Sequence, residues 1–162
     1  MKTGIYPGSF DPFTVGHLDV LRRACGMLDH VYVAVLNNPA KESSFSVEER
    51  MELIRVAVAE AGLKNVQATS FDGLLAEFVR QLGVGYIVRG LRAVTDFEYE
   101  FQIDAMNRRL APDVDTVYFM ANPEHSFLSS RMIREVAAYG GCISGLVSAK
   151  SEKFIAERLS KR

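Results

Sequence analysis

Residues 31–36 read Val-Tyr-Val-Ala-Val-Leu, a run of apolar side chains without a polar break. A short run of β-branched and aromatic residues predicts a strand, and the absence of polar alternation predicts that both of its faces are covered. Segments of similar character stand at residues 3–6, 65–70, 84–88 and 116–121. The sequence therefore predicts five strands in one sheet.

Helical patterns lie between and beyond these strands. They cover residues 17–28, 47–61, 73–82, 95–110, 130–139 and 151–159. Ser46 with Glu49, and Thr95 with Glu98, have the spacing of capping boxes and predict the starts of two helices. The alternation predicts an α/β fold: a single-domain, Rossmann-like, doubly wound five-stranded parallel sheet with helices on both faces.

The length of 162 residues predicts one domain over residues 1–162, with a C-terminal helix at about residues 151–160. The final segment fits either a docked helix or a frayed end. A net charge of −1 argues against a nucleic-acid partner, because such proteins usually carry a basic excess. No apolar run approaches the roughly 20 residues that span a bilayer, so we expect no membrane association and a cytoplasmic location.

Several common sites are missing from the sequence. The two cysteines form no CxxC motif and the three histidines lack zinc-ligand spacing, so no metal ligands are predicted. Glycine-rich dinucleotide and Walker phosphate loops are incomplete, and no GxSxG elbow is present. In open parallel sheets, ligands bind beyond the carboxyl ends of the strands. This rule directs attention to residues 7–17, 37–45, 89–100 and 122–134.

The first of these segments ends in Thr14-Val-Gly-His17 at the start of a helix. Exposed N–H groups and the positive dipole end at such a place attract anions. Gly16 lets a ligand approach the backbone, and the imidazole of His17 is able to donate to a phosphate oxygen. The alternative interpretation is that the prolines and glycines of the loop only reverse the chain and that His17 is a surface residue.

Arg89 and Arg92 flank Gly90 at the end of the fourth strand. Unpaired buried charge is costly, so two arginines here suit an anion that needs forked donors. The alternative is a pair of solvated arginines. The acidic run that follows either favours the helix start or holds the arginines in place. Lys41 and the hydroxyls of residues 126–130 add further anion-competent groups, so the residues alone predict a phosphate-binding α/β protein.

Three motifs carry a resemblance to a known superfamily. Thr14-Val-Gly-His17 resembles the (T/H)xGH signature of nucleotidyltransferases, and residues 128–134 resemble their second signature, ISSTxxR. Residues 89–100, together with residues 6–12, 45–50 and 106–108, resemble the bacterial phosphopantetheine adenylyltransferase family. The resemblance runs from about residue 5 to residue 143.

The resemblance implies an enzyme that transfers the adenylyl group of ATP to 4′-phosphopantetheine with Mg²⁺. The products would be dephospho-coenzyme A and pyrophosphate, in the penultimate step of coenzyme A biosynthesis. It also implies a homohexamer and feedback inhibition by coenzyme A. Direct in-line attack by a phosphate needs positioning and positive charge but no covalent intermediate.

The resemblance also assigns residues. His17, which would stabilise the transition state, Lys41 and Arg92 are implied to be catalytic. The implied ATP site comprises Ser9, Phe10, His17, Gly90, Leu91, Arg92, Glu100, His125, Ser126, Phe127, Leu128, Ser129, Ser130 and Arg131. The implied phosphopantetheine site comprises Ser9, Lys41, Leu75 and Arg89. No carboxylate cage for the metal is evident, so phosphates and water are expected to hold the magnesium ion.

The chain departs from the family pattern at two positions near the nucleotide. His125 replaces the usual tyrosine or tryptophan, and Arg131 replaces a small hydroxyl residue. Residues 145–149 also replace a proline-rich run, which bears on the C-terminal packing and on assembly. Residues 97–110 carry two apolar stripes, typical of either an interface helix or a deeply packed core helix.

Two other functions remain open. One is a related enzyme with a different acceptor, such as nicotinate mononucleotide or glycerol phosphate. The other is a non-catalytic nucleotide-binding or coenzyme A-sensing protein, which only His125 and Arg131 favour.

Overall fold

A wholly parallel five-stranded sheet forms the centre of the structure, a computed structural model that describes residues 1–40 and 42–160. Its strands are β1 (Thr3–Gly8), β2 (His30–Leu36), β3 (Val66–Phe71), β4 (Tyr86–Leu91) and β5 (Asp115–Met120). They lie in the order β3-β2-β1-β4-β5. The chain therefore turns back at β1, which pairs with β2 on one side and β4 on the other. This topology confirms the predicted doubly wound sheet.

Helices cover both faces of the sheet. They are α1 (Val15–Cys25), α2 (Val47–Glu60), α3 (Leu75–Leu82), α4 (Val94–Leu110), α5 (Ser130–Ala138) and α6 (Glu152–Leu159). Alternate side chains of β2 enter different core clusters: Val33 and Val35 pack with α1 and α2, and Ala34 packs with α3. The apolar run of β2 is thus covered on both faces, as predicted. None of the helices in the described part of the chain is both long and apolar enough to span a membrane.

The fourth strand extends three residues beyond the predicted segment. It runs to Leu91 because the backbone of residues 88–91 continues to pair with β5. Arg89 and Gly90 are consequently strand residues and not loop residues. The regular pairing of β4 with β5 fixes the position from which the Arg89 side chain extends out of the sheet.

The predicted capping box of Thr95 with Glu98 is wrong. The helix α4 begins at Val94 with Ala93 as its N-cap, and no side chain caps it. In the first turn of α4, the carboxylate of Asp96 instead accepts a hydrogen bond from the backbone N–H of Arg92 at 3.1 Å. The Ser46–Glu49 capping box at the start of α2 is confirmed, with both of its hydrogen bonds present.

The C-terminal segment is docked on the rest of the fold. Ile155 of α6 is buried and joins a third core cluster with Phe45, Ile133 and Val147. The backbone N–H of Val15 donates to the carbonyl of Leu146 at 3.0 Å, which ties this segment to the start of α1. Residues 145–149 therefore support the first helix without a proline-rich run.

The helix α4 is only lightly packed. Glu100 is its one buried residue within the described structure, while Phe97, Tyr99, Phe101 and Met106 are exposed. The interpretation of residues 97–110 as a deeply packed core helix is therefore excluded for this structure. A face of large apolar side chains remains open.

Candidate active site

A cleft of about 500 Å³ opens at the carboxyl ends of the strands, between the ends of β1 and β4. This is the position at which the strand order reverses, where ligands of such sheets bind. Of the residues implied by resemblance, the cleft is lined by Ser9, Phe10, His17, Arg89, Gly90, Arg92, Glu100, His125, Leu128, Ser129 and Ser130.

Other implied residues lie outside this lining. Leu91 is buried at the end of β4, Leu75 packs on the core cluster around α3, and Ser126, Phe127 and Arg131 are exposed. Arg131 stands in the first turn of α5. Lys41 lies outside the described residues.

His17 occupies the third position of α1 and is fixed by the residue that caps this helix. The Thr14 backbone N–H donates to Nδ1 of His17 at 3.0 Å, and the Thr14 hydroxyl accepts the His17 N–H at 3.3 Å. The ring also packs edge-on against Phe10, with centroids 5.2 Å apart. An accepting Nδ1 carries no proton, so the neutral ring bears its hydrogen on Nε2. Nε2 has no acceptor among the described residues and is free to donate to a ligand.

The electrostatics of the cleft favour the same neutral form. Burial, and secondarily the positive charge of Arg92, lower the pKa of His17 from its ordinary value of 6.5 to about 4. His17 is therefore uncharged at neutral pH. It is suited to donate one hydrogen bond to developing charge and not to act as an imidazolium.

Arg89 and Glu100 form a forked ion pair across the cleft. Nε of Arg89 donates to Oε2 of Glu100 at 2.6 Å, and Nη2 donates to Oε1. Nη1 donates to the carbonyl of Pro7 at 3.0 Å. Desolvation opposes the charge of Arg89, yet the net effect, with Glu100 as partner, is a raised pKa. The pair confirms the interpretation that part of the acidic run holds an arginine in place.

Arg92 lies at the rim of the same cleft. Its Nε donates to Asp96 at 3.3 Å and its Nη1 donates to the carbonyl of Leu128 at 3.3 Å. Its side chain remains 45% exposed, so the guanidinium still has donors directed to solvent. A partly exposed arginine beside His17 suits a polyphosphate ligand.

The end of β1 and the loop between β1 and α1 are held by their carbonyl groups. The carbonyls of Pro7, Ser9, Asp11 and Pro12 accept hydrogen bonds from Arg89, Arg50, Arg134 and Ser130, respectively. Asp11 also accepts the backbone N–H groups of Ser44 and Phe45 at 2.9 and 3.0 Å. The loop that carries Ser9 and Phe10 is thus fixed from β4, α2 and α5.

Sequence reasoning missed several of these residues. Tyr6, Thr95 and Tyr99 also line the cleft. Arg50 lies outside the cleft and supports it, and the sequence contains a signal for this residue. Residues 50, 53, 54 and 57 follow helical spacing, so the pattern places this charged residue on the buried stripe of α2.

The described residues offer no ready-made cage for a metal ion. No group of three or more histidine, cysteine or acidic side chains converges among them. The two carboxylates that line the cleft, Asp96 and Glu100, are bonded to Arg92 and Arg89. A cation at this site would therefore depend on ligand oxygens.

Comparison with known proteins defines the class. A family model described as cytidylyltransferase-like matches residues 5–136. A bifunctional NMN adenylyltransferase/ADP ribose pyrophosphatase from Francisella tularensis superimposes with a TM-score of 0.76 at 16% identity, over 96% of this chain and 49% of that one. This second likeness concerns the fold alone. Fold, cleft and family model together define a nucleotidyltransferase.

Curated relatives narrow the family. The phosphopantetheine adenylyltransferase of Moorella thermoacetica is 49% identical over 158 residues, 98% of this chain and 98% of that protein. That of Natranaerobius thermophilus is 48% identical over 158 residues, 98% of this chain and 96% of that protein. The chain belongs to the phosphopantetheine adenylyltransferase family.

Proposed function

We propose that this protein transfers the adenylyl group of ATP to 4′-phosphopantetheine, giving dephospho-coenzyme A and pyrophosphate. The observation that carries the reaction type is His17, held as a neutral donor beside Arg92 in a cleft at the strand-order reversal. Similarity over nearly the whole chain to enzymes of that name supports the choice of acceptor.

The chemistry is direct attack by one anion on another. A phosphate monoester is largely dianionic near neutral pH, because its second pKa is about 6, so the acceptor needs no strong general base. The enzyme must bring the two anions together in line and stabilise the charge that grows on the α-phosphate. We assign that stabilisation to the Nε2–H group of His17 and to the free donors of Arg92.

We assign the nucleotide to the part of the cleft formed by the first loop, Gly90 and the start of α5. Ser129 caps α5 and Ser130 begins it, so the helix dipole and backbone N–H groups favour phosphate there. His125 borders the same region, with its Cβ about 3.7 Å from the place a Cβ on Gly16 would occupy. The acceptor is assigned to Ser9, Lys41, Leu75 and Arg89 by resemblance.

We propose that magnesium arrives with the nucleotide. Mg²⁺ usually keeps several waters and binds substrate phosphates with only one or two carboxylates, which fits a cleft whose acids are already paired. When bound, the ion would neutralise charge on the triphosphate. The roles proposed for the protein side chains at the α-phosphate and at the acceptor do not require a set of protein ligands for the metal.

We further propose that the protein is a cytoplasmic homohexamer inhibited by coenzyme A. The open apolar face of α4 supports burial against other copies, since contiguous exposed apolar patches mark interfaces. Coenzyme A shares the pantetheine chemistry of the proposed acceptor and product, which supports competition at the same cleft.

A different acceptor is the main competing function, because two of the residues assigned to the acceptor do not line the described cleft: Leu75 packs on a core cluster, and Lys41 lies outside the described residues. The test is pyrophosphate release from ATP with 4′-phosphopantetheine, with nicotinate mononucleotide and with neither. We expect release only with phosphopantetheine. Release only with nicotinate mononucleotide would keep the reaction type and overturn the acceptor. Binding of ATP without release under any condition would favour a non-catalytic nucleotide-binding protein.

A further inference from the structure

Phe10 has an unusual backbone for a bulky residue. Its φ angle is +48°, in the left-handed region that side chains other than glycine rarely adopt. The residue is also buried, 3% exposed, and lines the cleft. Such conformations persist where surrounding contacts over-determine them, and they concentrate at functional sites. The structure must therefore contain groups that hold this peptide.

Two sets of contacts hold it. The ring of Phe10 packs against Tyr6 and Phe13, with centroid distances of 5.2 and 5.4 Å. The peptide preceding Phe10 is held at its carbonyl, because Nη1 of Arg50 donates to the Ser9 oxygen at 2.8 Å. Aromatic packing fixes the side chain, and the arginine fixes the plane of the peptide.

Arg50 is built into the fold at the ends of two strands. The same Nη1 reaches the carbonyl of Leu36, the last residue of β2, at 3.3 Å, and Nε reaches the carbonyl of Ser46 at 3.4 Å. The residue is only 3% exposed and does not line the cleft. A charge buried this deeply needs partners. Here its hydrogen-bond partners are carbonyl oxygens, and the negative charges of Asp11 and Glu48 add electrostatic support.

The orientation of the carbonyl determines the orientation of the next N–H group. The peptide between Ser9 and Phe10 is trans, so its C=O and N–H groups point in opposite directions. The C=O points to Arg50, outside the cleft lining. The N–H of Phe10 points the other way, and it has no acceptor among the residues that the structure describes. Because Phe10 lines the cleft, an N–H group without a protein acceptor is available to a ligand that enters there.

We propose that Arg50 is a positioning residue that holds the Ser9–Phe10 peptide so that the Phe10 N–H donates to a phosphate group of the bound nucleotide. The inference rests on the proposed function only in taking the anion to belong to a nucleotide. Arg50 touches no substrate itself. It acts by preventing the peptide from rotating into an unstrained conformation that would present the carbonyl, an acceptor, to the phosphate.

The first experiment compares ligands with and without phosphates. Titration calorimetry with ATP, inorganic pyrophosphate and adenosine is performed on the wild type and on Arg50→Met, Arg50→Lys and Arg55→Met. Arg55 is the matched control, because it lies on the same helix and pairs only with Glu52 in the described structure. The Lys variant keeps the positive charge but loses the several N–H donors of the guanidinium group.

We expect Arg50→Met to weaken ATP and pyrophosphate binding by about tenfold or more, the scale of a lost hydrogen bond to a charged group. Adenosine binding should be unchanged, Arg50→Lys should recover only part of the loss, and Arg55→Met should resemble the wild type. Equal losses for adenosine and ATP, full recovery in the Lys variant, or unchanged ATP binding by a folded Met variant would each overturn the proposal.

A second measurement uses the wild-type protein, in case Arg50→Met does not fold. The amide resonance of Phe10 is followed by NMR during titration with pyrophosphate and with adenosine. We expect a large downfield shift of the Phe10 amide proton with pyrophosphate only. A resonance that pyrophosphate does not move would overturn the proposal, whichever acceptor the pyrophosphate-release assay identifies.

Discussion

The backbone N–H of Thr14 donates to Nδ1 of His17 at 3.0 Å, so the residue that caps α1 also decides which nitrogen of the imidazole carries the proton. Local helix capping and the chemistry of the cleft are thereby joined within four residues of sequence, Thr14 to His17. A capping box with histidine at its third helical position delivers a neutral Nε2–H donor to the open end of the sheet.

Replacement of His17 by alanine should reduce turnover by about 10²–10³-fold, the scale seen when one donor to transition-state charge is removed. ATP affinity should fall far less, because the donor acts mainly on charge that develops during the reaction. Turnover and ATP binding are measured on the same preparation. His30→Ala, at the amino end of β2, is the control and should be active. An unchanged turnover number in His17→Ala would remove its assigned role.

Removal of the Arg92 charge should raise the pKa of His17. Burial is the larger cause of the lowered pKa of about 4 and Arg92 the second, so Arg92→Met should leave the value still below 6.5. NMR titration of the imidazole protons measures this directly. Arg109→Met, at the far end of α4, should not move the His17 titration. A His17 that titrates at the same pH in both variants would contradict the electrostatic coupling.

The same pKa predicts a dependence of stability on pH. In the folded protein His17 takes up its proton near pH 4, whereas in the unfolded chain it does so near 6.5. The unfolded state binds more protons between these values, so the contribution of His17 to stability is present above pH 6.5 and is lost as the pH falls toward 4. The difference in unfolding free energy between wild type and His17→Ala should change across this window and be constant above it.

Much of the fold is predictable because its signals are local. The β2 run and the alternation of elements suffice for the sheet, and the Ser46–Glu49 box marks the start of α2. The start of α4 was misplaced because Asp96 bonds back to Arg92, a choice that depends on where β4 ends. A strand end is set by pairing with β5, which no local pattern in residues 84–91 reveals.

The candidate site was predictable only in its side-chain donors. Arginines and a histidine at helix and strand ends stand out in a sequence, and the structure brings His17, Arg89 and Arg92 into one cleft. The helical spacing of residues 50, 53, 54 and 57 marks Arg50 as buried but does not reveal its partners, and Asp11 carries no such mark. The hydrogen-bond partners of both side chains include backbone groups far away in the chain. Backbone donors and acceptors carry no residue-type signal, so these hydrogen bonds are visible only in three dimensions.

Glu100→Gln should destabilise the protein, because it removes the charge that accompanies Arg89 and weakens the one buried anchor of α4. Loss of one partner of a well-buried ion pair costs about 3–5 kcal/mol, and partial exposure of Arg89 reduces the expected loss to roughly 2 kcal/mol. Chemical denaturation at matched protein concentration measures it. Glu98→Gln, on an exposed turn of the same helix, should have little effect. Equal losses in the two variants would show that Glu100 is no anchor.

Gly16→Ala should separate folding from ligand binding. A Cβ at this position would meet its nearest atom, Oγ1 of Thr14, at 3.5 Å, which is ordinary contact, and alanine favours the helix. Thermal stability should therefore be retained or slightly raised. Because Gly16 lines the cleft, the methyl group should weaken ATP binding. Unchanged ATP affinity would show that no ligand approaches the backbone there.

Phe101→Asp should disrupt assembly of the chain. Phe101 is 62% exposed on α4 and belongs to its open apolar face, so a charge there would oppose burial against another copy. Sedimentation analysis should show smaller species than in the wild type. Met27→Asp changes an exposed apolar residue outside this face and should leave the mass unchanged. A wild type that is monomeric at every concentration would contradict the proposed interface.

The four carbonyls that accept hydrogen bonds at the end of β1 and in the first loop also limit how this enzyme can be re-engineered. A loop held only by its own turns can be exchanged between relatives as a module. Here the hydrogen bonds to the carbonyls of residues 7–12 come from the side chains of Arg50, Arg89, Ser130 and Arg134, which lie on three other elements. A graft of this segment alone into a scaffold that lacks these four side chains would leave its carbonyls without their donors. Redesign for a new acceptor is therefore better directed at the rim of the cleft. The loop and the four side chains that donate to its carbonyls should be kept together.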